Sequence, residues 1–171
     1  MDSVSSKTRF VLSQWLVLGL SLAGAAIYGS YMLRSPQVRL TMFNPSGSFL
    51  YVVPIVVPFV AFLFDRAERW RQLSKLHYLI DLIVVATAMG RVIANVPLVS
   101  GHTLFLTYAI LTSRSIVVRV TAALVIVQTI YLKYFLWHDF VTSTVGILLG
   151  SLAAFLASRV TTKESEGSQN G

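Results

Sequence analysis

Ser100-Gly101-His102 joins a hydroxyl, a residue that permits close backbone approach and an imidazole, where one long apolar stretch gives way to the next. At the start of a helix such a group offers the hydroxyl and unpaired backbone N–H groups to an anion, and the helix dipole favours the negative charge. The chemistry it points to is phosphate binding. Arg91 and Asn95 stand four apart on the preceding stretch and share a helix face. A guanidinium inside an apolar segment should face protein or water rather than lipid, which makes Arg91 a candidate anion clamp. A second imidazole, His138, follows further along, with Lys133 before it and Asp139 and Thr142 after it.

Other readings compete for the same residues. His138 follows Trp137, and aromatic and polar side chains gather at membrane boundaries as anchors. Lys133 is long enough to extend its ammonium outward from an apolar surface. Thr142, Gly146, Gly150 and Ala154 form a small-residue stripe at four-residue spacing, which helix–helix packing explains without a ligand. His77 and Asp81, also four apart, are expected to satisfy each other, with a proton relay as the lesser alternative. The chain has no cysteine, which removes disulfides, thiolate nucleophiles and Cys-ligated metals. His102, His138 and Asp139 lack the spacing of a zinc motif, so no metal and no cofactor is expected.

The elements that must carry these residues follow from composition. Hydrophobic residues make up 55% and charged residues 12% of the 171, against about 25% charged for a soluble domain. A water-facing shell cannot be assembled from this chain, whereas a bilayer supplies the apolar surroundings. A spanning helix needs about 20 mainly apolar residues, and the charges leave six such windows: Phe10–Leu33, Ser48–Phe64, His77–Val96, Pro97–Ser113, Ser115–Trp137 and Phe140–Ser158. Their apolar character continues all round, as in lipid-embedded helices. Lys7, Arg9 and the small residues Ala23-Gly24-Ala25 imitate a secretory signal, but the apolar run continues to Leu33, which favours a retained first helix.

With both termini in the cytoplasm, the inner segments hold Lys7, Arg9, Arg66, Arg69, Arg71, Lys75, Arg114, Arg119, Arg159 and Lys163, ten of the fourteen basic residues. Three, Arg34, Arg39 and Lys133, fall outside, and Arg91 lies within the third stretch. This positive-inside bias accounts for the net charge of +7; without a basic stripe interleaved with aromatics, nucleic acid is not the expected partner. Asp65–Arg71 reads as a solvated inner loop or short interfacial helix, Asn44-Pro45-Ser46-Gly47 as a turn, and Thr161–Gly171 as a disordered polar tail behind a single domain over 1–160. Pro97 suits the first turn of the fourth helix, and Pro54 and Pro58 a bend in the second. The fourth helix is short, about 16 Å from Thr103 to Ser113, so His102 is expected in a recess. The fold class is an all-α six-helix bundle in the plasma membrane. It places the Pro97–His102 and Lys133–Asp139 segments at the same outer end.

Ser-Gly-His opening a fourth helix, with a second histidine between a fifth and a sixth, resembles the type 2 phosphatidic acid phosphatase superfamily, which shares its helical core with vanadium haloperoxidases. The likeness covers most of the chain. Ser100, Gly101 and His102 match the second of that family's three motifs, His138 matches the third-motif histidine, and Gly146 and Gly150 continue its small-residue pattern. Four departures stand beside these matches: Thr142 occupies the place of the orienting Asp, and Tyr131-Leu132 that of the Ser-Arg pair, with Lys133 one position later. Leu98-Val99 separate Pro97 from Ser100, and the basic first motif keeps only Arg91.

The resemblance implies hydrolysis of a lipid phosphate monoester or a polyprenyl pyrophosphate, without a metal. His138 would attack phosphorus to form a phosphohistidine, and His102 would protonate the leaving oxygen. Arg91, Ser100, Gly101 and Lys133 would hold the phosphate, and Thr142 would orient His138 by a weaker neutral hydrogen bond. The alternative is a catalytically impaired relative that binds a lipid phosphate or serves as a structural membrane protein. Solute transport is a poorer fit, because no paired broken helices occur in related halves.

Overall fold

The computed structural model describes residues 16, 19, 20, 23, 24, 26, 27, 30, 48–69, 73–94, 99–137 and 139–167, with backbone alone at 48–54, 91–94, 136–137 and 161–167. Among them the regular structure is entirely helical. The scattered positions between 16 and 30 are helical, and five α-helices follow: α1 Ser48–Glu68, α2 Lys75–Ala94, α3 Gly101–Thr112, α4 Ile116–Leu132 and α5 Val141–Gly167. A π-helical turn, Lys133–Trp137, extends α4. Two stretches, Ile116–Phe135 and Val141–Val160, are long and apolar enough to cross a membrane.

The short α3 is the hub. Thr103 through Ala109 are all buried, and the helix packs most extensively against α5, then α4, α2 and α1. Small residues make the α3–α5 approach possible. A Cβ added to Gly146 would lie 2.7 Å from the Ser100 carbonyl oxygen, and one added to Gly150 would lie 2.5 Å from that of Leu104. Both are closer than real Cβ contacts come. The stripe therefore packs one helix on another, as small-residue seams do. Phe62 stands edge-on to Phe105, with ring centroids 5.3 Å apart, and Val118, Ala122 and Val125 of α4 complete the core.

The outer surface is apolar on every long helix: Val60, Leu63 and Phe64 of α1, Leu79, Leu82 and Ile83 of α2, Val127 of α4, and Leu148, Leu152 and Phe155 of α5 are exposed. Several charged and hydroxyl side chains, Asp65, Arg66, Asp81, Lys133, Ser100, Thr103 and Ser143 among them, are meanwhile buried. Apolar faces this extensive mark contact with a membrane or another protein.

Several sequence expectations need correction. α1 runs unbroken through both prolines to Glu68, so Asp65–Glu68 is not a solvated loop; Asp65 and Arg66 are only 7% and 5% exposed. α5 continues to Gly167, so the segment read as disordered from Thr161 is helical over its first seven residues. The fourth helix starts at Gly101, with Ser100 as its extended N-cap, and Pro97 lies outside the described residues. The turn expected at 44–47 also falls outside them.

Candidate functional site

Gly101, the first residue of α3, lies tight against α2: a Cβ at this position would overlap the backbone oxygen of Ala88. The N-cap Ser100 is fully buried, and its backbone N–H donates to the Thr142 carbonyl across 3.0 Å. Among the described residues its hydroxyl makes no capping bond and has no hydrogen-bond partner. Thr103 strengthens the junction, its Oγ1 lying 3.1 Å from the Ser100 carbonyl and 3.2 Å from that of Ser143. The start of α3 is thereby fixed to the start of α5.

Thr142 belongs to a three-membered polar group. Lys133 Nζ donates to Asp139 Oδ2 (3.1 Å) and to Thr142 Oγ1 (2.8 Å), and Thr142 Oγ1 donates to Asp139 Oδ2 (2.6 Å). The Thr142 N–H donates to Asp139 Oδ1 (3.2 Å), so the carboxylate caps the first turn of α5. The π turn arranges this. It widens the helix at Lys133, and the Asp139 N–H closes the segment by donating to the Lys133 carbonyl at 3.2 Å. Partial burial alone would raise the Asp139 pKa, but hydrogen bonds from Thr142 and Lys133 outweigh it and hold the carboxyl below its usual range.

Residues 139 and 140 are not helical, which frees the carboxylate to fold back on Thr142.

His102 is half-buried and lines a cavity of about 150 Å3 between α1, α2 and α3. Ile55, Phe59, Val85, Met89 and Phe105 are among the apolar walls, and His102 is the single polar side chain of the lining. That volume matches an engineered apolar cavity of about 150 Å3 that admits benzene.

Of the sequence-derived candidates, the structure brings Ser100, Gly101, Thr142 and Lys133 to one end of the bundle. Lys133 is engaged by Asp139 and Thr142. Arg91 lies in α2, where backbone alone is described, and Asn95 and His138 lie outside the described residues.

The opposite end holds a group the sequence did not reveal. Asp81 of α2 faces the guanidinium of Arg66 from α1, with Nε 2.9 Å from Oδ2 and Nη2 3.1 Å from Oδ1, and accepts from Tyr108 Oη of α3 at 2.5 Å. Arg66 also donates to Thr112 Oγ1 at 2.7 Å and stacks on Phe62, 4.5 Å from the ring centre. Asp65 pairs with Arg69 and accepts from the Ser115 N–H at 3.2 Å. His77 Nε2 is 3.9 Å from Asp81 Oδ1, so Arg66, rather than the helical neighbour His77, is the principal partner of Asp81. The one local signal was a set of charges, Asp65, Arg66, His77 and Asp81, within or beside apolar stretches.

Fold and site together define a helical bundle with an apolar exterior and two internal polar ends. Comparison with family models, with curated proteins and with solved structures returned no match to this chain.

Proposed function

We propose that this protein is a multi-pass integral membrane protein of the plasma membrane, a six-helix bundle with both termini cytoplasmic. In this reading it hydrolyses a lipid phosphate monoester or polyprenyl pyrophosphate at the end where α3 meets α5. The observation that carries the reading is the 3.0 Å bond from the Ser100 N–H to the Thr142 carbonyl. It joins the two segments that match separate motifs of the type 2 phosphatidic acid phosphatase superfamily, although 42 positions separate them. Support also comes from the buried hydroxyl of Ser100, which no group among the described residues claims, and from His102 at the wall of an apolar cavity.

In this mechanism the α3 N-terminus and Ser100 bind the phosphoryl oxygens, with Arg91 and Lys133 contributing charge. His138 attacks phosphorus as the P–O bond to the lipid breaks, and His102 gives its proton to the leaving oxygen. Water then attacks the phosphohistidine, releasing phosphate and restoring His138. Thr142 holds the orienting position, coupled through its hydroxyl to the Asp139 carboxylate. The test is phosphate release by purified protein from phosphatidic acid and from a polyprenyl pyrophosphate, with His102→Ala and His138→Ala beside the parent. Turnover that both substitutions abolish supports hydrolysis; turnover unchanged in His138→Ala refutes it.

One observation favours a second reading, a lipid-phosphate binder without turnover. Lys133 is engaged by Asp139 and Thr142, and a neutral hydroxyl stands where the superfamily has a carboxylate. A binder retains affinity for a lipid phosphate in His138→Ala and releases no phosphate in either form.

A further inference from the structure

The end of the bundle that holds the buried ion pairs has an outer surface of a different character. Its aspartates are committed internally, Asp81 to Arg66 and Tyr108, Asp65 to Arg69 and the Ser115 N–H. Among the described side chains, what stays outside is mainly cationic. Lys75 at the start of α2, Arg114 in the turn after α3, Arg119 in the first turn of α4 and Arg159 of α5 are all exposed. Glu68 is the one exposed acidic side chain among the described residues, and no ion pair among those residues involves any of the four cations.

Chain direction collects these four at one end. α1 and α3 finish there, α2 and α4 begin there, and α5 runs toward it. Three of the four border an apolar face: Leu76 follows Lys75, Ile116 precedes Arg119, and Phe155 lies under the Arg159 guanidinium, 5.0 Å from the ring centre. Arg119 is held by the Ser113 carbonyl at 2.8 Å, beside Arg114. Cations rooted in apolar surface and unmatched by acids fit the boundary between hydrocarbon and anionic headgroups, where the ammonium or guanidinium reaches phosphate while its stem stays in lipid. A soluble acidic protein would complement the charge but leave the adjoining Leu76, Ile116 and Phe155 unmatched.

We infer that this end binds the phosphodiester headgroups of anionic phospholipids through Lys75, Arg114, Arg119 and Arg159. The inference rests on the membrane reading above and is independent of catalysis at the other end. The test uses the full chain in nanodiscs of phosphatidylcholine alone and mixed with phosphatidylglycerol, with native mass spectrometry counting each lipid retained. Phosphatidylglycerol should be enriched, the preference falling roughly fivefold for each cation neutralised and fading in high salt as charges are screened. Arg114→Gln is the first variant, since Arg114 has no hydrogen-bond partner among the described residues, and the quadruple Lys75, Arg114, Arg119 and Arg159→Gln protein should lose the preference while keeping its helicity. Equal retention of both lipids by the incorporated parent, or enrichment unchanged in the quadruple variant, overturns the inference alone. Failure of the parent to incorporate into any bilayer overturns it together with the membrane reading.

Discussion

Replacing Asp81 by asparagine keeps the volume, and the oxygen that accepts from Tyr108, but removes the charge that Arg66 faces. The guanidinium is 5% exposed and its two contacts to the carboxylate are 2.9 and 3.1 Å long, so Asp81→Asn leaves a buried cation without its principal counter-charge. Breaking a buried pair from one side costs about 3–5 kcal/mol. Arg66 retains the Thr112 hydroxyl at 2.7 Å and the Asp65 carboxylate at 3.9 Å, which places the expected loss at the lower end, about 3 kcal/mol.

Removing both charges, Arg66→Met with Asp81→Leu, deletes the penalty along with the pair. The double variant should then fall short of the summed single losses by about 2 kcal/mol. The assay is unfolding in mixed micelles of a mild detergent and dodecyl sulfate, followed by helical circular dichroism. Glu68→Gln, one turn away and exposed, serves as the control and should change stability by less than about 0.5 kcal/mol. An Asp81→Asn loss below about 1 kcal/mol, or additivity of the two single losses, refutes the claim that this pair fastens α1 to α2.

The remaining tests probe packing, hydrogen bonding and charge separately. Gly146→Ala should destabilise by about 1–3 kcal/mol in the same assay, because the new methyl meets the Ser100 carbonyl, whereas Gly90→Ala, with nothing within 4 Å, should stabilise α2 by up to about 1 kcal/mol. Tyr108→Phe removes a donor from a buried carboxylate and should cost about 1.5–3 kcal/mol. Asp139 has its pKa depressed in the folded state, so its share of stability is present above the usual carboxylate range and lost as pH falls through the folded value. Unfolding midpoints followed from neutral to acid should therefore decline less in Asp139→Asn than in the parent.

The helices were legible because charges interrupt apolar windows at regular intervals. The rule failed where a charge finds a distant partner. Asp65 and Arg66 look like the end of a span because the local pattern shows two ions leaving hydrocarbon. The partners that keep them inside, Asp81, Thr112 and the Ser115 N–H, lie between 15 and 50 residues away. The group of Lys133, Asp139 and Thr142 was not legible for a different reason. Neighbours diverge on a regular helix, but a π turn and two non-helical residues replace the helix here, and neither has a signature in composition. The meeting of Ser100 with Thr142 was anticipated only as a shared end, from counting passes. Its closeness depends on Gly146 and Gly150, whose spacing announced a packing face without naming the partner helix.

The two ends of α3 differ in how their terminal backbone groups are met, and the difference bears on where the proposed anion would sit. Its twelve residues make a helix about 18 Å long, short of the roughly 30 Å of bilayer hydrocarbon, so in a membrane at least one terminus must lie at apolar depth. The C-terminal end is met by cations: Arg66 Nη1 and Arg69 Nη2 reach the Thr112 carbonyl at 3.4 and 3.3 Å, completing both its hydrogen bonding and its dipole. Among the described residues the N-terminal end has no such complement. The acid beside it, Asp139, is shared between Lys133 and the first turn of α5, and the Ser100 hydroxyl, fully buried, finds no hydrogen-bond partner among those residues. A phosphate there would supply the negative charge that the helix dipole favours and the partner that the hydroxyl lacks, and Lys133 could serve it by exchanging one carboxylate oxygen for a phosphoryl oxygen. The same substitution at the other end would displace Asp81 or Asp65 from a guanidinium already satisfied.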